Sequence, residues 1–201
     1  MTDFLPTVAV NLSGGCSPDA LFPSPWRELR LEIGFGDGER LIEQATLNPD
    51  VAFLGCEPFL NGVAKAIVAI DDRGLTNIRI HTGDARDLLA VLPAESLDRI
   101  ELLYPDPWPK RRHHKRRIVS DDFLIAAARV LKRGHELRYA TDIDDYCAWT
   151  LTHVGRSSDF AWAPEKPSDW LIPWEGWKST RYEEKARREG RPSAYLTFVR
   201  R

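Results

Sequence analysis

Cysteine is scarce and scattered in this chain. Cys16, Cys56 and Cys147 are odd in number and far apart, and there is no CxxC pair. That pattern argues against a disulfide framework and against a zinc site, so no metal is expected. A reducing, cytoplasmic setting is the matching expectation. Long apolar runs are also missing. No stretch approaches the roughly 20 residues of a membrane span, and no basic segment leads into an apolar one near the N-terminus, as a signal peptide would require. Lys and Arg are absent before Arg27. Net charge is small, −2 at pH 7, but it conceals an uneven distribution. Residues 1–100 carry 8 Lys and Arg against 15 Asp and Glu, whereas residues 101–201 carry 20 against 15. The positive field therefore lies in the second half. What remains, 201 residues at 43% hydrophobic and 29% charged, is the composition of one globular domain with a real core.

Residues 1–28 read as an irregular arm, punctuated by Gly14, Gly15, Pro18, Pro23 and Pro25 and loosely docked at most. From residue 29 to 201 the periodicity alternates. Short strands are predicted at 29–33, 51–55, 77–81, 97–103 and 137–141, with helices at 39–47, 60–70, 85–91, 121–131 and 146–154 between and after them. Ser120 is placed to cap the helix that follows it. A Pro/Trp-rich loop at 163–179, a charged helix at 180–190 and a last alternating strand at 193–199 close the chain. The alternation implies an α/β fold, a mostly parallel sheet with helices on both faces. In such folds ligands sit beyond the carboxyl ends of the strands. Gly34–Gly38, Glu57, Asp84, Asp106 and Asp142 all fall at or just past a strand end.

Gly34-Phe35-Gly36-Asp37-Gly38 follows the first strand and opens a helix. Glycines allow the tight turn and a close backbone approach. The spacing is GxGxG, and Glu39 stands where the dinucleotide fingerprint wants Gly or Ala. A glutamate there opposes a pyrophosphate at the helix N-terminus. The loop therefore favours a ligand without phosphates, such as S-adenosylmethionine. Glu57 lies 19 residues after Gly38, where a carboxylate can accept both ribose hydroxyls. Asp84 could meet an adenine amino group, and Glu32 the cationic part of the ligand.

Tyr104-Pro105-Asp106-Pro107-Trp108-Pro109 runs directly into Lys110-Arg111-Arg112-His113-His114-Lys115-Arg116-Arg117. Alternating prolines restrict Asp106 and Trp108, which suits the orientation of a flat substrate. Adenine and cytosine N-methyltransferases carry a related Asn/Asp-Pro-Pro-aromatic turn, but no second consecutive proline is present here. A solvated face is the ordinary reading of a basic run. Beside an apparent site, this one suggests a grip on phosphates and chemistry on a nucleobase.

At this point the motifs LEIGFGDG (31–38), GCEP (55–58), GDA (83–85), PDPWPKRRHHKRR (105–117), ATD (140–142) and TRYE (180–183) resemble the bacterial tRNA (guanine-N7)-methyltransferases. The order is kept across 29–201, and the PDPW-basic segment and the late TRYE are the specific parts. The resemblance implies a Rossmann-like class I methyltransferase with a mostly parallel seven-stranded sheet, S-adenosylmethionine as cofactor and tRNA as partner. It implies cofactor contacts at Glu32, Gly34, Gly36, Gly38, Glu57, Asp84 and Asp106, with Asp106 closest to the reacting centre as the catalytic residue. Lys110, Asp142, Thr180, Arg181, Tyr182 and Glu183 match substrate-contacting positions, with Asp142 and Glu183 suited to the donor edge of guanine. Arg112, His113, His114, Lys115, Arg116 and Arg117 match the RNA-interacting stretch. No membrane and no obligate protein partner is implied, and the chain could be a monomer or a homodimer. Two other classes stay open on the residues alone. An RNA-binding module with a degenerate pocket would not bind S-adenosylmethionine saturably, and a nicotinamide-dependent oxidoreductase would need a different glycine spacing.

Overall fold

A computed structural model describes residues 5–13, 16–22 and 25–201. In chain order its elements are α1 (Leu5–Val8), α2 (Pro18–Leu21), β1 (Glu28–Ile33), α3 (Glu39–Leu47), β2 (Val51–Cys56), α4 (Leu60–Asp72), β3 (Ile78–His81), α5 (Ala85–Val91), β4 (Leu97–Leu103), a 3₁₀ helix (Arg111–Arg116), α6 (Asp121–Val130), β5 (Leu131–Thr141), α7 (Asp144–Arg156), β6 (Phe160–Ala161), α8 (Ser168–Leu171), α9 (Arg181–Arg188) and β7 (Ala194–Arg200). The strands form one seven-stranded sheet in the order β3-β2-β1-β4-β5-β7-β6. The first five are mutually parallel, and β7 runs antiparallel to β5. The expected fold class holds. Strand order reverses direction between β1 and β4, so the crevice beyond their carboxyl ends is the natural ligand position.

Both faces of the parallel part are covered, which is why β2 is buried along its whole length. One face packs against α3 and α4 through Leu41, Ile42, Ala45, Val63, Ala66, Ile67 and Ile70. The other face packs Leu88, Leu89, Phe123, Leu124, Ala127, Tyr146 and Val154 from α5, α6 and α7. The predicted cap is in place, with Ser120 Oγ accepting from the Phe123 N–H at 3.2 Å.

Three differences from the expectations have physical causes. The arm is not loose where it is described: Val10 N–H donates to the Ile80 carbonyl at 2.8 Å, and Val8, Val10, Cys16 and Phe22 are buried. Gly14, Gly15 and Pro23, expected to punctuate the arm, lie outside the described residues. β5 begins six residues earlier than predicted, because a register shift opposite Leu97–Arg99 absorbs the polar Lys132–His135 stretch, with Gly134 at φ +77°. The basic run folds into a 3₁₀ helix, which its lack of any apolar period concealed.

Asn77 staples the edge of the sheet. Its side-chain amide donates to the carbonyls of Ala45, Asn48 and Val51 at 3.0, 3.1 and 2.9 Å, tying the end of α3 to the start of β2. Asn77→Ala strands these acceptors and is expected to lower unfolding free energy by about 1–3 kcal/mol, read as a shifted urea midpoint at unchanged slope.

Candidate active site

Glu32 and Glu101 are direct neighbours in the β1–β4 register. Both are buried. Two like charges in that position would repel in a poorly solvated interior. Arg40, from the first turn of α3, resolves this by bonding Glu101 at 2.5 and 3.0 Å and Glu32 at 3.2 Å. Burial pushes the Glu32 carboxyl up to about 7, with Arg40 opposing the shift. Glu101, despite its own burial, is held below the usual carboxylate range by the Arg40 guanidinium. The guanidinium also lies 5.0 Å from the ring centre of Trp177. Neither Arg40 nor Glu101 stands out in the sequence. The available signal was an acid inside each of two apolar strand runs, with one arginine early in the following helix.

Just past these strand ends lies a cavity of about 670 Å³. Its lining brings together Gly34, Gly36, Glu57, Asp84, Tyr104, Asp106, Trp108, Arg116, Arg181 and Tyr182, with Phe59, Asn61 and Arg86 as residues that sequence reasoning missed. A space of that size suits a small-molecule ligand. Glu57 is buried and its two oxygens accept from the N–H groups of Gly36 at 2.8 Å and Phe59 at 3.0 Å. It therefore fixes the glycine loop against the end of β2 while keeping lone pairs for a ligand hydroxyl. A Cβ on Gly62 would stand 2.2 Å from the Gly36 carbonyl oxygen, so α4 can approach the loop only through that glycine. Asp84 caps α5 by accepting from the Arg86 N–H at 2.9 Å, and pairs with the Arg86 guanidinium at 3.0 Å. Asp106 is exposed and has no hydrogen-bond or ion-pair partner among the described residues.

Several predicted site residues stand elsewhere. Gly38 does not line the cavity. It is the N-cap of α3 at φ +80°, and its Cβ would meet that of Ala66 at 2.8 Å, so its role is close helix packing. Glu32 lines a smaller adjoining cavity of about 200 Å³ together with Thr180. Thr180 caps α9, its Oγ accepting from the Glu183 N–H at 3.1 Å. Asp142 is taken by Arg191, at 2.8 and 2.7 Å. Glu183 is buried and accepts from Trp177 Nε1 and Tyr195 Oη, both at 2.7 Å, and from Arg187 at 3.0 Å. Local donors thus engage both oxygens of Glu183 but only Oδ2 of Asp142, whose Oδ1 has no hydrogen-bond partner among the described residues. Arg181 reaches the loop instead, bonding Asp37 at 2.8 Å. Lys65 at 2.7 Å, more than Arg181, holds Asp37 below the usual carboxylate range.

The basic segment divides. Lys110, Arg111, Arg112, Lys115 and Arg116 are exposed, and Arg116 covers the Trp108 ring at 4.8 Å. His113 meets the edge of Trp108, and His114 meets the edge of Trp149 with its buried Nε2 making no hydrogen bond and lying 3.7 Å from Asp145 Oδ2. Arg117 is 2% exposed, which corrects its reading as an RNA contact: a guanidinium with no solvent-facing surface cannot reach a phosphate.

A family model described as "Putative methyltransferase" matches residues 26–196. A tRNA (guanine-N(7)-)-methyltransferase of Nitrobacter winogradskyi is 54% identical over 93% of this chain and 73% of that one. One from Rhodopseudomonas palustris is 51% identical over 100% of this chain and 80% of that one. The chain belongs to the tRNA (guanine-N7)-methyltransferase family. The solved 16S rRNA methyltransferase KamB shares the fold, with a TM-score of 0.64 at 17% identity over 91% of this chain and 94% of that one. Among the described residues no helix of this family member is long and apolar enough to cross a membrane.

The Glu32 proton gives a pH test. The folded chain keeps it to about pH 7, whereas an unshifted carboxyl releases it near 4.5. Protonated Glu32 therefore adds stability that is complete below 4.5 and lost as the pH rises through about 7. Urea unfolding of the parent chain is expected to lose stability between those limits relative to Glu32→Gln, which lacks the titration. Parallel profiles would show that Glu32 ionises as freely in the fold as outside it.

Proposed function

We propose that this chain transfers a methyl group from S-adenosylmethionine to N7 of a guanine in the variable loop of tRNA, forming 7-methylguanosine. The observation that carries the reading is the unpaired Asp106 carboxylate, which shares one cavity with the glycine loop, Glu57 and Asp84 beside an exposed cationic helix. The residues fit the cofactor. Gly34 and Gly36 leave backbone open to a ligand, Glu57 offers acceptors to ribose hydroxyls, and Asp84 lies where an adenine amine can reach it. S-adenosylmethionine supplies an electrophilic methyl group on a sulfonium.

Guanine N7 attacks with its own lone pair and carries no proton, so the chain need supply no general base. The product is cationic, and a fixed carboxylate beside the purine stabilises the charge as it develops. Asp106 holds that place. Trp108, backed by Arg116, and Tyr182 offer flat surfaces for a splayed base, the form in which single-stranded RNA loops are read. Lys110, Arg111, Arg112, Lys115 and Arg116 bind backbone phosphates. Asp142, held through Oδ2 by Arg191, offers Oδ1 to the donor edge of guanine, while Glu183 acts one step away by holding Trp177.

The test is transfer from labelled S-adenosylmethionine to unmodified tRNA followed by nucleoside analysis. 7-Methylguanosine is the expected product, and a different methylated base would discard the role given to Asp106. In the same assay Asp106→Ala is expected to lower turnover by about 10²-fold with tRNA affinity little changed. A variant losing only affinity would make Asp106 a binding residue.

Arg112→Ala combined with Lys115→Ala is expected to flatten the plot of log affinity against log salt by about 0.7–0.9 for each phosphate no longer neutralised. An unchanged slope would make the exposed cations bystanders.

A further inference from the structure

We infer that Arg117 is a positioning residue for the reaction, a clamp that fixes the Pro105–Pro109 turn and with it Asp106 and Trp108. The inference rests on the catalytic role given to that turn. The residue is out of place as a phosphate ligand. It follows the 3₁₀ helix directly, its backbone turns to φ −58° and ψ 134°, and its side chain points inward. The guanidinium lies 4.7 Å from the ring centre of Tyr146 and 5.2 Å from that of Trp149, on α7. Burying a cation there is costly unless its charge and donors are used. Asp145, in the first turn of α7, accepts from Nη2. The Pro107 carbonyl accepts from Nε at 2.9 Å.

That second bond is the informative one. Pro105, Pro107 and Pro109 have no N–H, and among the described residues the N–H groups of Asp106 and Trp108 make no backbone bond either. Among the described residues, the Arg117 bond is the single hydrogen bond to the Pro105–Pro109 segment. The turn also carries strain. Tyr104 stands at φ +50° and Trp108 at φ +46°, both left-handed without being glycine. Such residues persist only where their surroundings over-determine them. At one end, the Tyr104 hydroxyl donates to Ser193 Oγ at 2.9 Å. At the other, Arg117 grips the carbonyl between Asp106 and Trp108 and ties it to α7. The last of the eight basic residues thus works on the turn from inside, while its exposed neighbours face solvent.

The test uses the full chain carrying Arg117→Met, Arg117→Lys or Asp145→Asn. Arg117→Met is expected to lower kcat by about 10²-fold, the scale of an ångström of misplacement. KM for S-adenosylmethionine and the salt slope of tRNA binding should stay at parent values. Arg117→Lys should restore part of kcat, because an ammonium can serve Pro107 but cannot also fork onto Asp145. Asp145→Asn, exposed enough to be tolerated, should fall between them. A flattened salt slope with intact kcat in Arg117→Met would overturn the inference in favour of a phosphate contact. Where Arg117→Met does not fold, Asp145→Asn decides, and parent kcat there overturns the inference equally. A second readout needs no methyl transfer: the ¹⁹F signal of fluorotryptophan at Trp108 should be one sharp line in the parent chain and broaden or split in Arg117→Lys and Asp145→Asn. Failure of the proposed reaction would leave that signal readable, and an unchanged line would sink the clamp alone.

Discussion

Arg40 holds together the two sides of the ligand crevice. It lies over the junction of β1 and β4, where Glu32 and Glu101 stand side by side, and bonds both carboxyl groups in their buried position. Such pairing is what a buried carboxylate requires. The glycine loop leaves β1 two residues after Glu32, and the Pro-Asp-Pro-Trp turn leaves β4 a few residues after Glu101. Fixing these two strand ends therefore fixes both walls of the cavity. Trp177 lies against the same guanidinium and donates to Glu183, so the C-terminal segment is seated on the triad as well.

A second constraint comes from the prolines. They reduce the freedom of Asp106 and Trp108 but remove the donors a turn normally uses. Polar partners must come from outside the turn, and the basic segment supplies one. Its residues divide by exposure. Five cations face solvent, one of them also covering the Trp108 ring, and Arg117 turns back under the turn. A similar turning inward appears at Asp142 and Glu183, whose carboxylates are engaged by Arg191, Trp177 and Tyr195.

Most of the fold was legible. Helices 39–47 and 85–91 and the strand 97–103 fall where apolar periodicity puts them, because each buries one face or a whole strand against a layer. The 3₁₀ helix and β6 were not legible, since neither has enough apolar residues to show a period. In the site, Gly34, Gly36, Glu57, Asp84 and Asp106 were found together because strand ends of a parallel sheet share one rim. Gly38 was misplaced because glycine serves helix packing as readily as ligand approach, and the Ala66 neighbour that distinguishes them comes from α4, far along the chain.

Local sequence was enough for the sheet class, the rim on which ligands bind, and the residue types at the reacting centre. These depend on local periodicity and on motifs whose members are close in the chain. Which charges are available was decided only by the tertiary structure. Arg117 and Arg116 are adjacent and chemically identical, yet one is packed between Tyr146 and Trp149 and the other covers Trp108 at the cavity edge. A side chain's direction and partners depend on residues brought from other elements, and a run of like charges carries no local signal of which members turn inward.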